Sequence, residues 1–219
     1  MRRSGNLARG FCGGIVHGID YIIGLIFAIV LIVGGYQFYF FVQRNHRGEP
    51  RQFNTAFDDY VPFWPSWVWV YSGLYYPVMF LLVFTQTSFT AYMYTAFSFL
   101  VLLAMQCVVF YLFPVRVPGK WRLYNVNGSL SRRFLAFLQK YDATANSIPS
   151  MHVSMATLTA IHLHTTLSPM LGAFAVLAYA FPVVVALSAI FTKQHYLADI
   201  LPGAAFGWLA WRATVWMVG

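Results

Sequence analysis

The sequence predicts an all-α, polytopic membrane protein: a bundle of six transmembrane helices, with an interfacial helix in the loop between spans 3 and 4. Three observations carry this reading. Only 9% of the 219 residues are charged and 59% are hydrophobic, for a mean hydropathy of +0.62. Soluble domains carry roughly 25% charged residues. The apolar residues also gather into six runs, and about 20 such residues suffice to cross a bilayer. Runs of that length consume most of the chain and leave no room for a separate soluble domain. Residues 19–219 are therefore read as a single transmembrane domain behind a basic N-terminal segment, residues 1–18.

The formal charge of +8 does not point to nucleic acid, because the basic residues neither form one long tract nor alternate with exposed aromatics in a soluble module. Anionic headgroups of a lipid bilayer are the better partner. Cys12 and Cys107 have no CxxC or CxxH neighbours, so neither a disulfide framework nor a zinc site is implied.

Span 1 covers Ile19 to Phe41. It follows Arg2, Arg3 and Arg9 as a secretory signal would, but exceeds the roughly 7–15 residues of a signal core, so it is read as retained. Gly24, Gly34 and Gly35 allow close helix approach or are simply loosely packed. A polar loop then leads to Asp58-Asp59-Tyr60-Val61-Pro62-Phe63-Trp64-Pro65, where prolines among aromatics suit re-entry at the interface. The aspartate pair reads as loop charge or a helix cap rather than a metal site. The aromatic clusters between residues 64 and 76 form an interface belt or line a lipid entrance.

Span 2 runs from Ser66 to Thr85 with Pro77 as a kink, and a short uncharged turn leads to span 3, Thr90 to Phe113, as its antiparallel neighbour. The following polar segment holds six of the fourteen basic residues. Within it Leu130, Phe134, Leu135, Phe137, Leu138 and Tyr141 fall on one side of a helical wheel, with Arg132, Arg133, Gln139 and Lys140 on the other. That is the pattern of a helix in the headgroup plane. Span 4 starts at Pro149, a favourable first helical position. Span 5 covers Leu171 to Phe191, and span 6 His195 to Val218.

With six spans, the loops after spans 1, 3 and 5 share one membrane face. Arg116, Lys120, the corner at Pro149 to His152 and the corner at Lys193 to His195 then meet there. The start of span 4 offers free N–H groups and a positive dipole end to an oxyanion, with Ser150 and His152 adding a donor and a titratable group. His195 and Asp199, four apart, share a face if helical. A carboxylate on one imidazole nitrogen leaves the other as nucleophile or base. An acid at membrane depth costs about 2.5–3.5 kcal/mol and usually has a task. Phosphoryl transfer needs mainly positioning and charge stabilisation, and this inventory fits it without a metal or cofactor.

Pro149-Ser150-Met151-His152 and Ser188-x6-His195-x3-Asp199 resemble the second and third motifs, PSGH and SRx5Hx3D, of the type 2 phosphatidic acid phosphatase (PAP2) superfamily. Asn146-x2-Pro-Ser-Met-His and Lys-Gln-His-Tyr-Leu-Ala-Asp are closer to the branch with inositol phosphorylceramide synthases and related bacterial lipid phosphatases. The resemblance implies that His195 attacks phosphorus to form a phosphohistidine, oriented by Asp199. It also implies that His152 protonates the leaving oxygen while Ser150 holds phosphate oxygens. The first motif, Kx6RP, is partial: Arg116 stands in Arg-Val-Pro, Val109 replaces the lysine, and Ala189 replaces the arginine of the third motif. Lys193 and Lys120 are expected to supply the missing charge for the substrate phosphate.

The expected activity is a phosphatase acting on a phosphorylated lipid, or a phosphotransferase if a lipid hydroxyl replaces water. A non-catalytic transporter or scaffold binding anionic lipid is the alternative of another class. An intramembrane serine protease fits poorly, since Ser150 lacks a Gly-x-Ser-Gly setting. His162 and His164 point about 200° apart on a helix and read, with His17 and His46, as interfacial or packing residues. The loops after spans 1, 3 and 5 hold ten Lys and Arg against three at the N-terminus. The positive-inside rule would put the site in the cytoplasm, whereas the resemblance implies the periplasmic or lumenal face of the cell (inner) membrane, which is the orientation adopted.

Overall fold

The computed structural model describes residues 4–142 and 146–218, with side chains from residue 22 onward. The side chains of Arg2, Arg3, Arg9, Cys12 and His17 lie outside these. Among the described residues the chain is helical, and the only β-type pairing is two isolated bridges. Four stretches are long and apolar enough to cross a membrane: Ile22–Arg44, Pro65–Thr85, Phe89–Leu112 and Met151–Phe191.

Helix α1, Ser4–Arg44, continues through the basic segment without a break. From residue 22 on, its outward side chains are largely exposed, and it packs chiefly on the helices of the second and third stretches. The short α2, Ala56–Tyr60, is closed by a capping box between Thr55 and Asp58. A 3-10 turn, Pro65–Trp67, and a π-wound stretch, Trp69–Leu74, lead into α3, Tyr75–Thr85. Pro77 has no N–H for the carbonyl four residues back at Gly73. The turn containing Gly73 is wound wide in response, so the expected kink appears as π-winding.

Ser88 caps α4, Phe89–Leu112, its hydroxyl accepting from the Ala91 N–H at 3.1 Å. Ser129 caps α5, Leu130–Tyr141, in the same way through Arg132 N–H at 3.2 Å. Helix α5 is amphipathic as expected. Leu135 is buried and Phe134 stacks on Trp69 at 5.0 Å, whereas Leu130, Phe137 and Tyr141 stay more than half exposed.

Helix α6, Met151–Leu171, lies at the centre and packs against α3, α4, α7 and α8. The chain turns back at Gly172, whose φ of 53° and ψ of −129° favour a residue without Cβ. A 3-10 run, Gly172–Tyr179, then enters α7, Ala180–Phe191. The last helix, α8, covers Ile200–Val218, starting five residues later than the expected span 6. It presses on α6 through Gly203 and Gly207. A Cβ on Gly203 would stand 2.9 Å from the Ser150 carbonyl oxygen, and one on Gly207 2.9 Å from Thr157 Cβ. Small residues four apart permit such backbone approach where water provides no drive for helix association.

The loops tie together at the N-terminal end of α6. Arg51 N–H donates to the Pro114 carbonyl at 3.0 Å, Arg116 N–H to Arg51 at 2.8 Å, and Ser147 N–H to Val115 at 2.9 Å. Ser150 N–H donates to the Asp199 carbonyl at 3.2 Å. The segments after α1, α4 and α7 therefore converge on one end of the bundle, as the order of the apolar runs requires.

Candidate active site

The chain leaves α7 through Lys193, which adopts φ 57°, a left-handed conformation costing a residue with a Cβ roughly 1–2 kcal/mol. This reversal turns His195 back over the start of α6. His195 and Asp199 do not share an α-helix, as their spacing suggests. Asp199 ends a 3-10 turn, Leu197–Asp199, and its Oδ2 accepts the Tyr196 N–H at 2.9 Å. The tighter turn still delivers the pairing: His195 Nδ1 lies 3.1 Å from Asp199 Oδ2 and 3.0 Å from the Ser147 carbonyl. Both neighbours are acceptors, so Nδ1 carries the proton and Nε2 keeps its lone pair. Ser147 Oγ donates to the same Asp199 oxygen at 2.5 Å.

His152 sits one residue inside α6. Its ring stacks on Tyr71 with centroids 4.1 Å apart, and Nδ1 is 3.1 Å from the Tyr71 hydroxyl. Tyr71 belongs to the π-wound stretch, which ties that irregularity to the site. Tyr75 covers the imidazole from another side at 4.8 Å. The rings of His152 and His195 are 6.1 Å apart at 62°.

Both imidazoles line a cavity of about 290 Å³, together with Asn146, Ser147, Gln194 and Asp142. No Lys or Arg is among its lining residues in the described chain. The Arg116 side chain is exposed, while its carbonyl accepts the Tyr196 hydroxyl at 2.6 Å. Burial pushes that hydroxyl's pKa up to about 12. Lys120 pairs with Asp59 at 2.9 Å on the surface, and this bond holds the Asp59 carboxyl below its ordinary range. The Lys193 ammonium donates to the Asp58 carbonyl and lies 5.0 Å over the Trp121 ring. Burial lowers its pKa, with Asp59 and Asp58 opposing. Ser150 is fully buried, its hydroxyl capping α6 by accepting Val153 N–H at 3.4 Å.

Beyond Asp199, the cavity lining near the histidines offers the neutral side chains of Asn146, Ser147 and Gln194 and one further acid, Asp142, held by Arg122 at 2.9 Å. Asp142 carries no sequence motif that would have singled it out, while Gln194 stands in the Lys-Gln-His motif and Tyr71 in the aromatic cluster of residues 64–76 without a role assigned to either. Asp58 is more than a cap: its Oδ1 accepts the Leu197 N–H at 2.8 Å. His162 is buried and bonded to Ser98 Oγ at 2.7 Å, a packing role. Cys107 is a free, buried thiol, and no cluster of three or more His, Cys, Asp or Glu suited to a metal occurs among the described residues.

The sequence model of the PAP2 superfamily matches residues 51–213, which include both histidine corners. The chain belongs to the PAP2 superfamily. No curated protein and no solved structure matches it. The PAP2 match takes in α2 to α7 and most of α8, leaving α1 outside. Membership of the PAP2 superfamily points to phosphatase-type activity on phosphate esters.

Proposed function

We propose that this PAP2 protein is an integral membrane enzyme that hydrolyses a phosphate ester or diphosphate of a lipid through a phosphohistidine. The observation that carries the reading is the His152–His195 pair, 6.1 Å apart over one cavity, with Nε2 of His195 left as the free lone pair. In the first step Nε2 attacks phosphorus, a P–N bond forms, and the P–O bond to the lipid breaks. His152 gives its proton to the departing oxygen, and Asp199 steadies the imidazolium. In the second step His152 takes a proton from water as that water attacks phosphorus, and phosphate leaves with Nε2 restored.

Asn146 and Gln194 hold phosphoryl oxygens in this reading, at the positive end of α6 capped by Ser150. Arg116, Lys120 and Lys193 act from the surrounding loops by drawing the anionic headgroup inward. The bundle crosses the bilayer six times, the Met151–Phe191 stretch supplying two spans and α8 the sixth. Helix α5 lies in the headgroup plane with Leu130, Phe137 and Tyr141 in lipid. The site faces the periplasmic or lumenal side of the cell membrane. Labelling of cysteines introduced in the loops tests that orientation.

A lipid alcohol entering in place of water would give a phosphotransferase with the same first step. Radiolabelled phosphatidate should leave acid-labile phosphate on His195, and products with and without an alcohol acceptor separate hydrolysis from transfer. No step requires a metal, so a chelator should leave turnover unchanged. Undiminished lipid phosphate release by His195→Asn would overturn the assignment, whereas no release by the wild type from any lipid phosphate would favour a non-catalytic lipid-binding role.

A further inference from the structure

The cavity beneath the histidines continues far into the bundle, and its walls have a regular construction. Helix α1 contributes Ala28, Leu31, Gly35 and Tyr39, a stripe at three- and four-residue spacing. Helix α4 faces it with Tyr92, Ala96, Phe99 and Leu103 at the same spacing. Helix α3 adds Tyr75, Met79 and Val83. Three helices thus present one stripe each to a shared slot, while α1 residues between the stripe positions, such as Val30, Val33 and Phe38, are about half exposed on the outside.

The slot has a polar end and an apolar end. Near the histidines the hydroxyls of Tyr36 and Tyr76 are hydrogen-bonded to each other. At the other end Val83, Tyr92 and Ala96 form a buried cluster with Ala28 and Leu31 packed on it. Tyr92 lines that end, its hydroxyl donating to the Gly24 carbonyl at 2.8 Å. From residue 28 to 39 on α1, and from 92 to 103 on α4, the slot extends ~16 Å along the helix axes. One leaflet of a bilayer is ~15 Å of hydrocarbon, half of the full core.

We propose that this slot binds one hydrocarbon tail of the substrate, drawn inside the bundle and extended from the histidines to Tyr92. The inference rests on the lipid-phosphate reading above and adds to it a tail site of fixed depth. Depth fixes preference: a tail that reaches Tyr92 buries the most methylenes the slot can hold.

The test uses the wild-type protein in phosphatidylcholine vesicles with hexadecyl phosphate carrying a diazirine at the tail end. Photolysis should attach the probe to Val83, Tyr92 or Ala96. Attachment confined to Val30, Val33, Phe38 and other outward residues would overturn the slot. Turnover gives the second readout, as kcat/KM for octyl and hexadecyl phosphate. Ala96→Phe should lower the hexadecyl value at least tenfold more than the octyl value, and Phe38→Ala should leave their ratio unchanged. Equal losses on both chains would also count against the slot. Crosslinking does not depend on catalysis, so a wild-type protein inert to every phosphate ester would refute the phosphatase reading while the crosslink map judged the slot separately.

Discussion

Asp58 Oδ1 accepts the backbone N–H of Leu197 at 2.8 Å, joining two points 139 residues apart in sequence. Its other carboxylate oxygen takes the Thr55 N–H at 2.7 Å and the Thr55 hydroxyl at 2.8 Å, and its carbonyl takes the Lys193 ammonium. The buried Asp58 thus holds both ends of the turn that carries His195.

Removing that clamp should slow chemistry more than it weakens binding. Asp58→Ala leaves the Leu197 N–H without its partner, a loss of about 1–3 kcal/mol, and lets the His195 turn relax. We expect kcat to fall roughly ten- to a hundredfold with KM within a few-fold of wild type. Steady-state kinetics on a lipid phosphate checks this, and a change in KM alone would show that Asp58 does not act through His195.

Asp199→Asn tests the tautomer. An amide can turn its NH2 toward His195 Nδ1 and shift the proton to Nε2, which removes the nucleophilic lone pair. A loss of ~10^2- to 10^4-fold in kcat is expected, with the folded protein retained. Phosphohistidine trapping should fail in parallel.

Gly207→Leu should separate α8 from α6. The new side chain meets Thr157 Cβ and the Ser154 carbonyl, and overpacking costs about 1–3 kcal/mol or more when backbone must move. Because Ser150 and Asp199 meet across the same contact, thermal stability in detergent and activity should fall together. Trp208→Leu, on the exposed side of α8, should change neither by much.

Lys193 gives a pH signature. Burial lowers its folded pKa below the ordinary lysine value, so between the two values the unfolded chain binds more protons than the native one. Stability from this group therefore rises with pH across that interval, up to about 10.4. The thermal midpoint of wild type relative to Lys193→Met should climb as the pH approaches the ordinary lysine value from below. A constant difference would show that the ammonium is not desolvated.

The sequence makes the local features legible. Apolar runs place the candidate spans, and the wheel of residues 130–141 yields α5. The two histidine motifs are also local, and the order of the runs brings their ends of the bundle together. Contacts between remote residues leave no periodic trace. Nothing near Asp58 marks it as the partner of Leu197, and nothing in Lys-Gln-His indicates a left-handed Lys193 that spends its charge on a carbonyl. Cations near the motifs in sequence suggest charge beside the phosphate; in the fold Lys120 pairs with Asp59, Lys193 donates to the Asp58 carbonyl, and neither they nor the exposed Arg116 line the cavity. Gly203-x3-Gly207 is a readable small-residue pair whose role emerges only once α6 is seen against it.

The superfamily match begins at residue 51, while Ala28, Gly35 and Tyr39 ahead of it form a wall of the cavity that both histidines line. Among the described residues, no α1 side chain stacks on or hydrogen-bonds either imidazole. One wall of the cavity is thus written on polypeptide outside the match, while both imidazoles and the other walls lie inside it. Exchanging the first helix would redraw the mould while leaving the reactive machinery as it stands, a modular route by which such proteins can change clientele.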